Sequence, residues 1–202
     1  MMKRILLSLL VVLIIIAVFS SCSTTLKATR PNESGYFPTS TKITQDDIHA
    51  QKPFLEKYCT MLYVMTDEKN DKYNDFFVTS FVNMNMFEEV LDKEGLEKLV
   101  IEKGLTDRVT NVSDKIGLHH LQSHMGVFLV VEPYSIWEGG YNYSAELKAF
   151  DPETGETVFH VTNEAINWAG LDKPLFYPLF NAFIDWTHNR PIDTMDKPGW
   201  RE

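Results

Sequence analysis

Cysteine is nearly absent from this chain: its 202 residues include only Cys22 and Cys59. If one of the two is consumed at the amino terminus, no intrachain disulfide can form, and stability must come from a packed core. No long apolar run follows residue 19, and the one before it, from Ile5 to Phe19 interrupted by Ser8, is shorter than the roughly 20 residues a membrane span needs. Basic residues are also few, 19 Lys and Arg against 28 Asp and Glu. Nucleic acids and anionic headgroups demand basic patches, so the acidic balance of the chain as a whole argues against them as partners. Catalytic signatures are missing too. There is no G-x-S-x-G, no P-loop and no Gly-rich dinucleotide turn, since Gly139-Gly140 lies between two strand-like segments. No nucleophile has a visible base, and no cofactor is expected.

What is present begins with an address. Lys3 and Arg4 precede the apolar run, and small residues follow it, as in a secretory signal. Ser20-Ser21-Cys22 resembles the lipobox of bacterial lipoproteins, with Phe19 standing where that family usually has Leu. The resemblance implies cleavage before Cys22, acylation of Cys22, and a mature chain that starts there. Ser23, in place of Asp, implies sorting to the outer membrane with the domain facing the periplasm. Acyl chains contribute roughly 0.8 kcal/mol per buried CH₂, so two or more make the attachment essentially permanent. Without residues 1–21 the chain carries 17 basic and 28 acidic residues, a net charge of −11.

The rest reads as one domain. Residues 22–53 are polar, with scattered Pro, Ser and Thr and no sustained period, and are expected as a tether, part of which (43–48) can lie on the domain. Residues 54–190 are expected to fold, and 191–202, including Trp200, to form a loose tail. Within the domain, 57–66 is a nearly continuous apolar run, the pattern of a strand buried on both faces, with Cys59 as a small hydrophobe inside it. Tyr73, Phe76, Phe77, Phe81 and Met84 mark a helix over 71–84. A short strand (86–91) and a helix (94–103) ending at Gly104 follow. Ser113 is expected to cap a helix to Met125 that turns Ile116, Leu121 and Met125 inward, with Leu118 or Gly117 near its edge. Residues 127–137, 141–150 and 157–168 make a three-strand meander. A last helix starts near Pro174 and carries Leu175, Leu179, Phe180, Phe183 and Trp186. The expected class is therefore α+β (mixed α/β), with one sheet of about five strands, an antiparallel meander and helices packed on it.

This order resembles a fold shared by the amino-terminal domain of the TolB translocation protein, the curli-secretion lipoprotein and lipoprotein activators of peptidoglycan synthases. The carrying features are the first buried strand and the Phe-rich helix that leads to Phe87-Glu88-Glu89-Val90. Two more are the segment Gly126-Val127-Phe128-Leu129-Val130-Val131 and the turn Asp151-Pro152-Glu153-Thr154-Gly155-Glu156-Thr157-Val158. The resemblance implies a role in docking onto envelope machinery or in self-assembly rather than catalysis.

Two constellations stand out. His120 and His124 share one helical face and could hold Zn²⁺, with a third ligand such as His160 or an Asp from elsewhere. The glutamate that a zinc hydrolase places after its first histidine is replaced by Leu121, so solvated histidines are the plainer reading. Tyr134, Trp137, Tyr141 and Tyr143 surround the Gly139-Gly140 turn and form a candidate docking patch, because Tyr and Trp concentrate at interfaces. The expectation is a lipid-anchored envelope module without catalytic activity, bound to the membrane through Cys22 and to an envelope protein or to copies of itself. A hydrolase or metal-dependent enzyme, and a carrier of a small hydrophobic ligand, remain alternatives.

Overall fold

The structure, a computed structural model, describes residues 26–109, 111–166 and 172–196; the expected signal, Cys22, Trp168 and Trp200 lie outside them. The strands are β1 (Ile48–Gln51), β2 (Met61–Val64), β3 (Glu89–Leu91), β4 (Leu129–Gly139), β5 (Asn142–Phe150) and β6 (Thr157–Ile166). The helices are α1 (Asn74–Met84), α2 (Lys93–Glu102), α3 (Lys115–Met125) and α4 (Tyr177–Thr187). Six strands form one sheet in the order β1-β6-β5-β4-β2-β3. It is a mixed sheet: β2 pairs in parallel with β3 and β4, while β4, β5, β6 and β1 pair antiparallel in succession. Parallel neighbours need crossover connections, and α1 supplies the one between β2 and β3.

The helices form two layers. On one face α1 and α4 bury Leu62, Val64, Leu129, Val131, Leu147 and Val161. On the other, α2 and α3 bury Met61, Tyr63, Phe128 and Val130. β2, covered on both faces, has four fully buried residues, as its continuous apolar run requires.

Four expectations need correction. The sheet has six strands rather than about five, because Ile48–Gln51 joins its edge. That strand alternates half-buried and exposed residues over only four positions, too short a pattern to show in the sequence. Residues 56–60 are a 3-10 turn rather than part of the first strand, which places Cys59 half-buried in that turn. Burial, followed by Glu56 and Glu88, raises its thiol pKa and keeps it protonated. Finally, α3 is capped by Asp114, whose Oδ1 accepts from the Gly117 amide at 2.8 Å, and not by Ser113. Its face is rotated accordingly: Gly117, Leu118 and Leu121 are buried, and Ile116 is 73% exposed. A β-carbon at Gly117 would lie 1.7 Å from the Asn111 carbonyl oxygen, so the helix can approach that loop only through a glycine.

The largest departure concerns the amino-terminal segment. Phe37 and Ile43 are each 1% exposed and belong to the core, and Leu26 and Ala28 pack against it. The cause is α4, which is buried at every position except Asn181. A helix with apolar residues on every side exposes a hydrophobic stripe unless each side is covered. The sheet and α1 cover part of it, and residues 26–44 form a strap over the rest. The Phe37 ring packs, tilted, at 5.0 Å from Tyr177 and 5.3 Å from Phe180, measured between ring centroids. The Asn181 amide holds the strap at two points, accepting from the Phe37 N–H at 2.8 Å and donating to its carbonyl at 3.0 Å. Asn189 clamps the Phe54 backbone in the same way, at 2.8 and 2.9 Å. The expected loose tail is also held as far as Met195, whose N–H donates to the Ile43 carbonyl, while Ile192 is buried.

If the strap belongs to the core, Phe37→Ala costs about 3–5 kcal/mol of stability, the loss typical of a buried Phe. Urea unfolding checks this. Ile116→Ala should leave the midpoint nearly unchanged, and an equally small effect at Phe37 would show the strap to be undocked.

Candidate docking surface

β2 supports β4 only at Leu129, Val130 and Val131, opposite Leu62, Tyr63 and Val64. From Glu132 to Gly139 the strand runs on beyond β2, with β5 as its partner. The edge this exposes is blunted twice. Pro133 has no N–H to offer a further strand, and the buried Asn70 caps Ser135 by accepting from its N–H at 3.1 Å and its hydroxyl at 2.8 Å. Addition of a strand here is therefore disfavoured, and contact falls to side chains.

Strand alternation sorts those side chains. Trp137 lies opposite Tyr143 across the β4–β5 ladder, and Tyr143 packs against the α1–α4 core. The Trp137 indole N–H donates to the Gly140 carbonyl at 3.1 Å, which folds the ring over the turn while 65% of the residue stays exposed. Tyr141, in the turn itself, is 60% exposed. Tyr134 lies three residues before Trp137 and so points to the opposite sheet face. The four aromatic residues therefore divide: Trp137, Tyr141 and Tyr143 gather at the hairpin tip, and Tyr134 stands apart. Two exposed residues that the sequence reading passed over, Ile136 and Ile166, lie on Tyr134's face. Isolated isoleucines in alternating strands gave no signal of their own.

Tyr134's face is only half covered. α2 and α3 sit over β3, β2 and the start of β4, leaving the outer parts of β5, β6 and β1 open. There Tyr134 lines a cleft of about 440 Å³ with Asp67, Lys93, Glu132, Glu146 and Lys148. Burial raises the Glu132 carboxyl above its usual range, against the opposing pull of Lys148 directly across the ladder and of Lys115. Beyond it, His160 meets Glu146 at 2.9 Å and lies with its ring centroid 4.8 Å from that of His49, the two rings tilted; His49 contacts the Thr162 hydroxyl at 2.9 Å. Burial lowers the His160 pKa; Glu146 works against this, and Lys148 and His49 reinforce it.

The histidine candidates do not converge. His124 lines a different cleft, with Glu88, Glu89, Lys103 and Met125, while His120 lies beside Arg108 and Lys115. His160 is committed to Glu146. Among the described residues no group of three or more His, Cys, Asp or Glu side chains could hold a metal ion.

The Asp151–Glu156 turn, at the end of β5 away from the hairpin tip, has a mechanical role. Asp151 Oδ1 accepts from the Glu153 N–H, and its N–H donates to the Glu156 carbonyl. Gly155 takes a φ of +70°, and the Thr154 hydroxyl accepts from the Glu156 N–H. Asp151 Oδ2 receives the buried Tyr58 hydroxyl at 2.8 Å, tying the hairpin to the 3-10 turn before β2.

No known protein family matches the sequence, and no curated protein does. Seventeen chains of solved structures match the fold. One is the LpoB C-terminal domain from Salmonella enterica, 11% identical, with a TM-score of 0.35 over 55% of this chain and 85% of that one. Another is the lipoprotein GNA1162 from Neisseria meningitidis, 10% identical, with a TM-score of 0.32 over 55% and 86%. A third is a PelC dodecamer from Paraburkholderia phytofirmans, 11% identical, with a TM-score of 0.36 over 64% and 92%.

The two titrating groups act on stability in opposite directions. His160 has a folded pKa below its ordinary 6.5, so the unfolded chain binds the proton more readily and stability falls as pH drops below about 6.5. Thermal melts between pH 7.5 and 5.5 should show a shallower decline for His160→Gln than for the parent. Glu132 has a folded pKa above its ordinary 4.5, so its ionised form is a cost at neutral pH that acid relieves. Glu132→Gln should raise the Tm at pH 7, with the gain vanishing near pH 4.

Proposed function

We propose that this chain is a lipid-anchored protein of the bacterial outer membrane, whose periplasm-facing domain is a docking module without catalytic activity. The anchor rests on Lys3, Arg4, the short apolar run and Ser20-Ser21-Cys22. The docking role rests on one observation above all: the β4–β5 hairpin extends past the sheet's parallel half and presents Trp137 and Tyr141 to solvent at 65% and 60% exposure. Large aromatic side chains lose apolar burial by being exposed, and interfaces recover it. Ile136 and Ile166 are exposed on the opposite face of the same sheet. The partner is another envelope protein or a second copy of this chain, and the blunted β4 edge favours contact through side chains over strand addition. The raised thiol pKa of Cys59 agrees with a structural role for the second cysteine.

Two outcomes follow. The intact mass of the membrane-bound protein should lack residues 1–21 and include acyl groups; a full-length mass would remove the anchor. In-cell crosslinking of the acylated protein should recover one envelope complex or a self-crosslinked species. Trp137→Ala should reduce that recovery at least tenfold with Tm unchanged, the loss of about 2 kcal/mol or more that defines a binding hot spot, a role in which Trp is enriched. Unchanged recovery would exclude the tip.

A further inference from the structure

The strap determines how far the domain can stand from its anchor. Only Ser23, Thr24 and Thr25 separate Cys22 from Leu26, which packs on the core. Even fully extended, the four steps from Cys22 to Leu26 span about 14 Å. The domain's radius of gyration is about 16 Å for this chain length. An anchor shorter than the body it holds does not let that body turn over. The point of attachment is also defined. Just past Leu26, Thr29 Oγ1 meets the Tyr177 hydroxyl at 2.8 Å, and the Thr29 carbonyl accepts from the Asn83 amide at 3.0 Å. The chain therefore leaves the domain over the α1–α4 layer. Charge points the same way. Residues 22–32 contain Lys27 and Arg30, both exposed, and no acidic residue, whereas 33–202 contain 15 basic and 28 acidic residues, a net of −13.

We propose that the domain docks in a fixed orientation against the bilayer that its acyl chains enter. The strap, lying over α4, and the outer side of α1 face the lipid, and the α2–α3 layer faces away. This rests on the lipid-anchor reading. The basic strap meets anionic headgroups while the acidic remainder is turned from them. The hairpin tip is thereby offered to partners from a platform of set height and angle, in place of a domain roaming on a tether.

The test uses the acylated full-length protein, first identified by intact mass and then reconstituted in phosphatidylethanolamine–phosphatidylglycerol vesicles containing a headgroup-linked acceptor dye. In a Cys59→Ser background, a donor dye is placed at Val82→Cys on α1 or at Ile116→Cys on α3. Both positions are exposed, at 53% and 73%, and lie on helices that cover opposite faces of the sheet. Circular dichroism establishes that each variant is folded. The donor at residue 82 should lose at least twice as much emission as the donor at residue 116. A flexible Gly-Ser insert of 24 residues after Thr24, with a reach of about 27 Å, should equalise the two. Equal transfer without the insert, in protein shown to be acylated, overturns the fixed orientation and leaves the anchor standing. A mass without acyl groups overturns the anchor and the orientation with it.

Discussion

The burial of α4 is the constraint on which this structure depends. Its rings are locked from several directions at once: Phe180 packs on Phe76 at 5.8 Å and Phe81 at 5.5 Å, and Trp186 stacks on Phe159 at 4.8 Å. The Trp186 indole N–H, which would be costly to bury without a partner, donates to the Lys52 carbonyl at 2.6 Å. Such a helix at the surface of a two-layer domain would expose a continuous apolar stripe. The strap removes that stripe, and β1 follows from the strap, because the chain that has crossed α4 must then reach the sheet edge.

Polar groups within this apolar layer serve as fasteners. Asn181 and Asn189 each satisfy both the N–H and the C=O of one distant residue, Phe37 and Phe54, and so supply the pairing that a sheet would otherwise provide. Buried Asp185 accepts from the Tyr36 hydroxyl and from the Asp193 N–H, linking strap, helix and tail through one carboxylate. Removing these groups singly would leave buried backbone polar atoms unpaired, a heavier loss than that of the hydrogen bond alone. The domain is thus closed from both ends of the chain, which is why neither the polar start nor the polar end behaves as a free segment within the described residues.

The second consequence is asymmetry. One sheet face is covered along its length by α1, α4 and the strap, whereas α2 and α3 cover only the parallel half of the other. The uncovered half carries Glu132 and His160, whose pKa values burial shifts, together with Glu146 and His49 beside them, and the hairpin tip extends from the same region. Coverage on one side and openness on the other suit a body held at one surface and read from another. The proposed function and the proposed orientation both draw on this arrangement.

Much of this was legible in the residues themselves. The Phe-rich period over α1, the continuous run of β2 and the alternation of β5 depend on local spacing, and local spacing is a property of sequence. So does the aromatic concentration around Gly139-Gly140, although the division of Tyr134 from Trp137 appears only once strand faces are assigned. What sequence alone determined about this protein is its layered α+β class, its acidic character and the signal-and-cysteine start from which the anchor is inferred. Tertiary structure alone decided that a polar segment with isolated apolar residues, Phe37 and Ile43, is part of the core, and that α3 turns Leu118 inward and Ile116 out. The physical reason is common to both. Each depends on a contact with a partner far along the chain or across a loop, α4 for the strap and the Asn111 carbonyl for Gly117, and periodicity within a segment contains no record of the surface that will meet it.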